Sequence, residues 1–152
     1  MQVFRLVRAK FAKPLSGKGA ALKGGRWNSP GIEMIYAAEN RSLAMAEVAV
    51  HFSLATMPSD YVMTTIDIPD GVKRVRIKES DLPSNWKDFP HPPVTQKVGD
   101  AFVNEQKAAV VFIPSEVTQG DYNVLINPLH KDFAKIKIVK VEKFPFDHRL
   151  WK

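Results

Sequence analysis

Cysteine is absent from this 152-residue chain, so its fold uses no disulfide, no thiolate metal site and no cysteine nucleophile. Long apolar runs are missing too. No segment reaches the uncharged length needed to span a bilayer, and the start, Met1-Gln-Val-Phe-Arg-Leu-Val-Arg8, has no extended apolar stretch behind its basic residues. We therefore expect a cytoplasmic protein with no membrane partner. Acidic residues are the scarcer charge: 16 Asp and Glu face 22 Lys and Arg, leaving +6. Such an excess attracts polyanions without choosing among a nucleic acid, a dinucleotide and an acidic protein. The lysines are spread along the chain, with Lys10, Lys13, Lys18 and Lys23 near the start and Lys131, Lys135, Lys137, Lys140 and Lys143 near the end. That distribution reads as solvated faces.

What is present suffices for one core: 45% of the residues are hydrophobic, and no linker or repeat divides the chain. Residues 2 to 8 read as a strand, and the glycines and prolines from Pro14 to Gly31 read as irregular loop. Glu33 to Ala37 predicts a short buried strand. Asn40 is placed to cap a helix running to about Leu54, apolar on nearly every side and so expected to be central. Tyr61–Ile68 and Val72–Ile77 predict a hairpin through Pro69-Asp-Gly71. An irregular crossing over residues 83 to 93 precedes a helix from Val94 to Gln106, weakened by Gly99. Strands follow at Ala108–Ile113, Tyr122–Ile126 and Lys135–Phe144, the last with a phase shift between Ile138 and Val139 that a bulge would absorb. The sum is α+β: a compact domain with mixed, largely antiparallel sheets and flanking helices.

The chemistry-bearing segment is Leu15-Ser-Gly-Lys-Gly-Ala-Ala-Leu-Lys-Gly-Gly-Arg-Trp-Asn-Ser-Pro-Gly31. Its glycines would let backbone N–H groups approach phosphates, and Arg26 beside Trp27 and Asn28 suggests a planar, bidentate anion site. It is neither a Walker loop nor a dinucleotide fingerprint, because glycine follows Gly17-Lys18 and Leu22 occupies the third glycine position. His51, His91, His130 and His148 are too scattered for a metal site by spacing, so no metal is expected. Glu47 and His51 are one helical turn apart on one face.

In these residues the chain resembles the RES domain family, named for arginine, glutamate and serine. The likeness lies in Leu15–Gly17 and Gly24–Gly31, and continues through Ile35–Ala38, Ser42–Ala44, Ala46–Val48 and His51. It resumes at Ile113–Ser115, Asn123, Leu125–Pro128 and His130 and closes with Asp147–Leu150. It is poorest between about Ser53 and Pro93, and Lys18 departs from the family's common acidic residue. The resemblance implies one RES domain over residues 1 to 152 with an ADP-ribosyltransferase-like fold. It further implies an enzyme that takes NAD as substrate rather than cofactor and breaks its nicotinamide–ribose bond, with water, phosphate or a protein as acceptor. That is the toxin of a type II toxin–antitoxin pair, whose partner is an Xre-like antitoxin that also supplies any DNA contact. The catalytic residues it implies are Arg26, Tyr36, Glu47 and Ser115, with Gly25, Arg26, Trp27, Tyr36 and Ser115 around the NAD. Glu47 would stabilise oxocarbenium character on the ribose, Tyr36 would lie at the nicotinamide, and Ser115 would position substrate rather than attack it. A competing reading from charge alone is a basic nucleic-acid-binding module without catalysis, against which stand the missing helix-turn-helix punctuation and interleaved basic and aromatic motifs.

Overall fold

Seven strands form one sheet in the computed structural model, which describes residues 1–151. The strands are β1 (Gln2–Arg8), β2 (Ile35–Ala38), β3 (Tyr61–Asp67), β4 (Arg74–Arg76), β5 (Val110–Pro114), β6 (Tyr122–Ile126) and β7 (Lys137–Lys143). Their order across the sheet is β4-β5-β6-β2-β1-β3-β7. Only β4 and β5 run parallel; every other pairing is antiparallel. The expected α+β class with a mixed, largely antiparallel arrangement is thus what forms, as a single sheet.

Strand alternation sorts the side chains onto two faces. On one, Val3, Ile35, Ala37, Ile66, Val110, Phe112, Val124 and Ile126 pack with Ile68, Val72 and Ile136 from the crossing segments. On the other, Tyr36, Val111, Ile113 and Leu125 meet Trp27, Trp86 and the helix α3 (Pro93–Glu105), while Leu6, Ala38 and Met63 meet the helix α2 (Arg41–Ala49). Ser115 and Asn123 continue the second face, so these polar side chains and the second core share one side of the sheet.

The bulge expected in the last strand is present: Thr65 faces Lys140 and Ile66 faces Ile138, leaving Val139 as the extra residue. Asn40 caps α2, its side chain accepting from the Leu43 N–H at 2.8 Å, a contact of a type that contributes about 1 kcal/mol.

Three expectations are corrected. The stretch from Pro14 to Gly31 is not wholly irregular, since α1 (Lys18–Lys23) forms within it. Helix α2 is shorter than the apolar pattern suggested and is not central: it buries only Leu43 and Ala44 and ends at Ala49, while Val50 and Leu54 are exposed. It lies over β1 and β2 as a flanking helix, with one face on the middle strands of the sheet and the rest of its surface turned away from them. The hairpin does not exist either. β3 pairs with β1 and β7, whereas β4 is at the far edge on β5. Pro69-Asp-Gly71 does turn the chain, with the Val72 N–H donating to Pro69 O at 3.0 Å, but the turn sends it across the sheet instead of back alongside β3.

Gly99 is required by packing. A Cβ there would stand 1.6 Å from the Trp27 carbonyl oxygen, so α3 lies directly on the backbone of the Arg26-Trp27 segment. The glycine that weakens the helix locally is what lets it dock. Gly99→Ala should therefore lower stability by about 2–3 kcal/mol, as overpacked sites do, measured by chemical denaturation. An unchanged midpoint would show that the two segments separate at no cost.

Candidate functional site

The loop from Gly24 to Gly31 is held by its own side chains. Asn28 is fully buried; its Nδ2 donates to the carbonyls of Ala20 at 3.0 Å and Ile32 at 2.9 Å, and its Oδ1 accepts from the Tyr36 hydroxyl at 2.6 Å. The same hydroxyl accepts from the Trp27 N–H at 3.1 Å. Gly25 makes room for this pair, because a Cβ there would come 2.8 Å from the Tyr36 oxygen. From α3, Gln96 Nε2 donates to the carbonyls of Gly25 and Asn28, and Asp100 accepts from the backbone and hydroxyl of Ser29.

This network revises the reading of the loop as a phosphate cradle. The N–H groups of Gly25, Trp27 and Ser29 already donate to Asn28 O, Tyr36 Oη and Asp100 Oδ1 respectively, so they are not turned toward a ligand. Trp27, expected around the NAD, lies in the core. The residue is 1% exposed and its ring packs 6.2 Å from that of Trp86, centroid to centroid. Burial holds the Tyr36 phenol well above its ordinary range, so the group stays neutral and acts through hydrogen bonds.

Arg26 is likewise engaged. Its Nε donates to Glu116 Oε1 at 2.9 Å, and its Nη1 donates to the carbonyls of Trp86 at 2.7 Å and Asp88 at 2.9 Å. The guanidinium, whose side chain is 10% exposed, ties the glycine-rich loop to the proline-rich crossing and to the end of β5. Among the described residues Nη2 has no protein acceptor, so only that edge of the expected anion-binding fork remains open.

Glu47, Ser115 and Asn123 come together from α2, the end of β5 and β6. Ser115 Oγ donates to Glu47 Oε1 at 2.8 Å, and Asn123 Nδ2 donates to the same oxygen at 2.6 Å. Ser115 Oγ in turn accepts from the N–H groups of Val117 and Thr118, each at 3.0 Å, which fixes its orientation. Among the described residues no protein donor reaches Glu47 Oε2. Burial raises the pKa of Glu47 above the usual carboxylate range; the Asn123 hydrogen bond opposes this, the Glu116 charge adds to it, and Ser115 and His51 oppose it.

The geometry therefore brings Glu47 and Ser115 into direct contact. Arg26 is linked to them through Glu116, which adjoins Ser115 in the chain, and Tyr36 stands beside Arg26 through the Trp27 and Asn28 contacts. Two residues of the site escaped the list of catalytic candidates. Asn123 carries a family likeness but no local signal beyond its strand, and Glu116 is marked only by following Ser115. His51 lies just beyond the end of α2, within electrostatic reach of Glu47. Arg41, at the start of that helix, is occupied by Glu142.

A model of the RES domain family matches residues 2–147. The chain is 36% identical over 145 residues to the Prs ADP-ribosylating toxin of Sphingobium sp. (strain YBL2), covering 94% of this chain and 90% of that protein. It is 33% identical over 152 residues to Toxin Res of Yersinia enterocolitica serotype O:8 / biotype 1B, covering 99% of each. Among solved structures, a chain in the crystal structure of the M. tuberculosis MbcT-MbcA toxin-antitoxin complex superposes with a TM-score of 0.73, at 22% identity, over 94% of this chain and 83% of that one. The superposition shows a shared fold.

The raised pKa links Glu47 to stability. The folded state holds the Glu47 proton more tightly than the unfolded chain, so folding is favoured below the ordinary carboxylate range. That advantage is lost as pH rises through the raised folded value. Glu47→Gln keeps an acceptor for Ser115 and Asn123 without the buried charge, so it should gain stability relative to wild type between acidic and neutral pH. Denaturation curves at several pH values check this; a difference that does not grow with pH removes the burial cost. Arg26→Lys provides a second test. A single ammonium cannot span Glu116 and both carbonyls, so backbone amide exchange in residues 86–88 should quicken while β5 and β6 stay protected.

Proposed function

The chain belongs to the RES domain family, and from that membership and the Glu47 site we propose that it is an NAD-degrading toxin of a toxin–antitoxin pair. The observation that carries this reading is the half-engaged carboxylate. Glu47 Oε1 takes two hydrogen bonds from Ser115 and Asn123, which fix the plane of the group while leaving Oε2 for a substrate.

Breaking the nicotinamide–ribose bond sends its electron pair to the leaving nicotinamide and places positive charge on the ribose carbon and ring oxygen. A preoriented carboxylate at that carbon lowers the barrier, because its charge is already in place and needs no reorganisation. Partial burial strengthens the attraction by displacing water. Asn123 and Ser115 act on Glu47 itself, so their contribution is aim. Tyr36, neutral and fixed at its hydroxyl, offers a ring beside the loop for the nicotinamide end. The open Nη2 edge of Arg26 offers a donor pair to an oxygen of the dinucleotide. Water, phosphate or a protein side chain then captures the ribosyl carbon; the name of the Sphingobium relative speaks for a protein acceptor. We further propose an Xre-like antitoxin as partner, limiting access to this pocket and supplying any DNA contact, in line with the complex in which the structural neighbour was solved.

Pure protein incubated with NAD, with and without phosphate or a candidate acceptor protein, should release nicotinamide, and the ribose-containing product identifies the acceptor. Glu47→Gln should lower the rate of release on the order of a hundredfold or more while leaving NAD affinity nearly unchanged. Wild-type turnover in a folded Glu47→Gln protein would return Glu47 to a purely structural role.

A further inference from the structure

A second carboxylate lies in the site. Glu116 follows Ser115 at the end of β5, where the strand gives way to a bend, and its side chain is 20% exposed. Oε1 is matched by Arg26 Nε at 2.9 Å. Oε2 is buried and, among the described residues, receives no hydrogen bond. A buried carboxylate oxygen without a donor is costly to keep. The arrangement is one-sided: Oε1 has its donor and the buried Oε2 has none.

We propose that Glu116 is a second substrate-binding carboxylate, whose Oε2 accepts a hydrogen bond from a donor on the nicotinamide–ribose half of the dinucleotide while Oε1 holds Arg26. This rests on the NAD reading of the site. The placement at the reactive end, rather than at the adenosine end, follows from its neighbours. Glu116 adjoins Ser115, which donates to Glu47, and it holds Arg26, whose neighbour Trp27 donates its N–H to Tyr36; Glu47 and Tyr36 are the two groups assigned to the ribose and the nicotinamide. The nicotinamide–ribose half supplies hydroxyl and carboxamide N–H donors, and no positive charge beyond the pyridinium that Glu116 would also favour. Glu116 has a further effect through Glu47. After burial, the larger cause, the Glu116 charge raises the pH at which Glu47 becomes charged. The titratable or charged groups that act on Glu47 are Glu116 and His51, with opposite signs, and Arg26 neutralises Glu116 from its other side.

The test uses Glu116→Gln, which preserves volume and an oxygen for Arg26 but presents an amide N–H₂ where Oε2 stood. Binding is measured by calorimetry with carba-NAD, whose ribose ring oxygen is replaced by carbon so that the bond stays intact, and with AMP as probe of the other half. Carba-NAD affinity should fall roughly tenfold or more, with AMP affinity unchanged. The acid limb of nicotinamide release should also move to lower pH, because Glu47 loses a negative neighbour while His51 is untouched. Unchanged carba-NAD binding and an unmoved acid limb overturn the proposal, as does an equal loss for AMP, which would locate the effect in a loosened Arg26. Absence of carba-NAD binding by the wild type overturns the NAD reading itself and the proposal with it. Should Glu116→Gln not fold, Glu116→Asp keeps the charge but withdraws Oε2 by one methylene, and the same loss of carba-NAD affinity is expected.

Discussion

The carboxylate of Glu47 is the joint on which the site depends. A charged group on a flanking helix is drawn toward the sheet only because two donors from separate strands await it, Ser115 at the end of β5 and Asn123 on β6. Those donors compensate part of the cost of burial and specify where the helix sits. Without them the carboxylate would turn to water, as acidic side chains ordinarily do. The result is a group that is oriented yet not satisfied, with one oxygen fixed and the other exposed to whatever enters. Electrostatic catalysis asks for that combination, since an acceptor fully used by the protein has nothing left for a transition state.

A second joint, at Arg26, does different work. Its three protein contacts pull together a loop before β2, a crossing segment before α3 and the residue after Ser115. The glycine-rich loop is stiffened from below by Asn28 and Tyr36 and from the side by Gln96 and Asp100. Composition suggests looseness in this stretch, and side-chain hydrogen bonds remove it. Glycine serves there as clearance: Gly25 admits the Tyr36 hydroxyl, and Gly99 admits the Trp27 carbonyl.

How far this could be read from the sequence depended on the range of the interaction. β1, the Asn40 cap and the bulge at Val139 were legible because each is written in a few neighbouring residues. Glu47 and Ser115 stood out through their resemblance to a family; no periodicity would have paired residues so far apart in the chain. The turn at Pro69-Asp-Gly71 was recognised and its consequence misjudged, since turn chemistry dictates that the chain changes direction and says nothing about which strand it joins next. α2 was taken as central because it is apolar on nearly every side, yet a helix laid on one face of a sheet buries less of itself than one enclosed by others. Arg26 was read as an anion fork from its neighbours, but the fork is largely spent on Glu116 and two carbonyls from another part of the chain. Trp27, beside it, fills the core because α3 docks over it.

The strand order has a consequence for synthesis. β5 and β6 are made late and yet are inserted between β4 and β2, in the interior of the sheet. A growing chain emerges from the ribosome with Arg26, Tyr36 and Glu47 first. At that stage β2 has no neighbour on the side where β6 belongs, and Glu47 has neither of its donors. A chain interrupted anywhere before Asn123 lacks the second of them, so translation itself delays assembly of the carboxylate until most of the polypeptide exists. The last third of the chain is in this sense a timing device: it withholds a donor of Glu47 from every product that stops before Asn123.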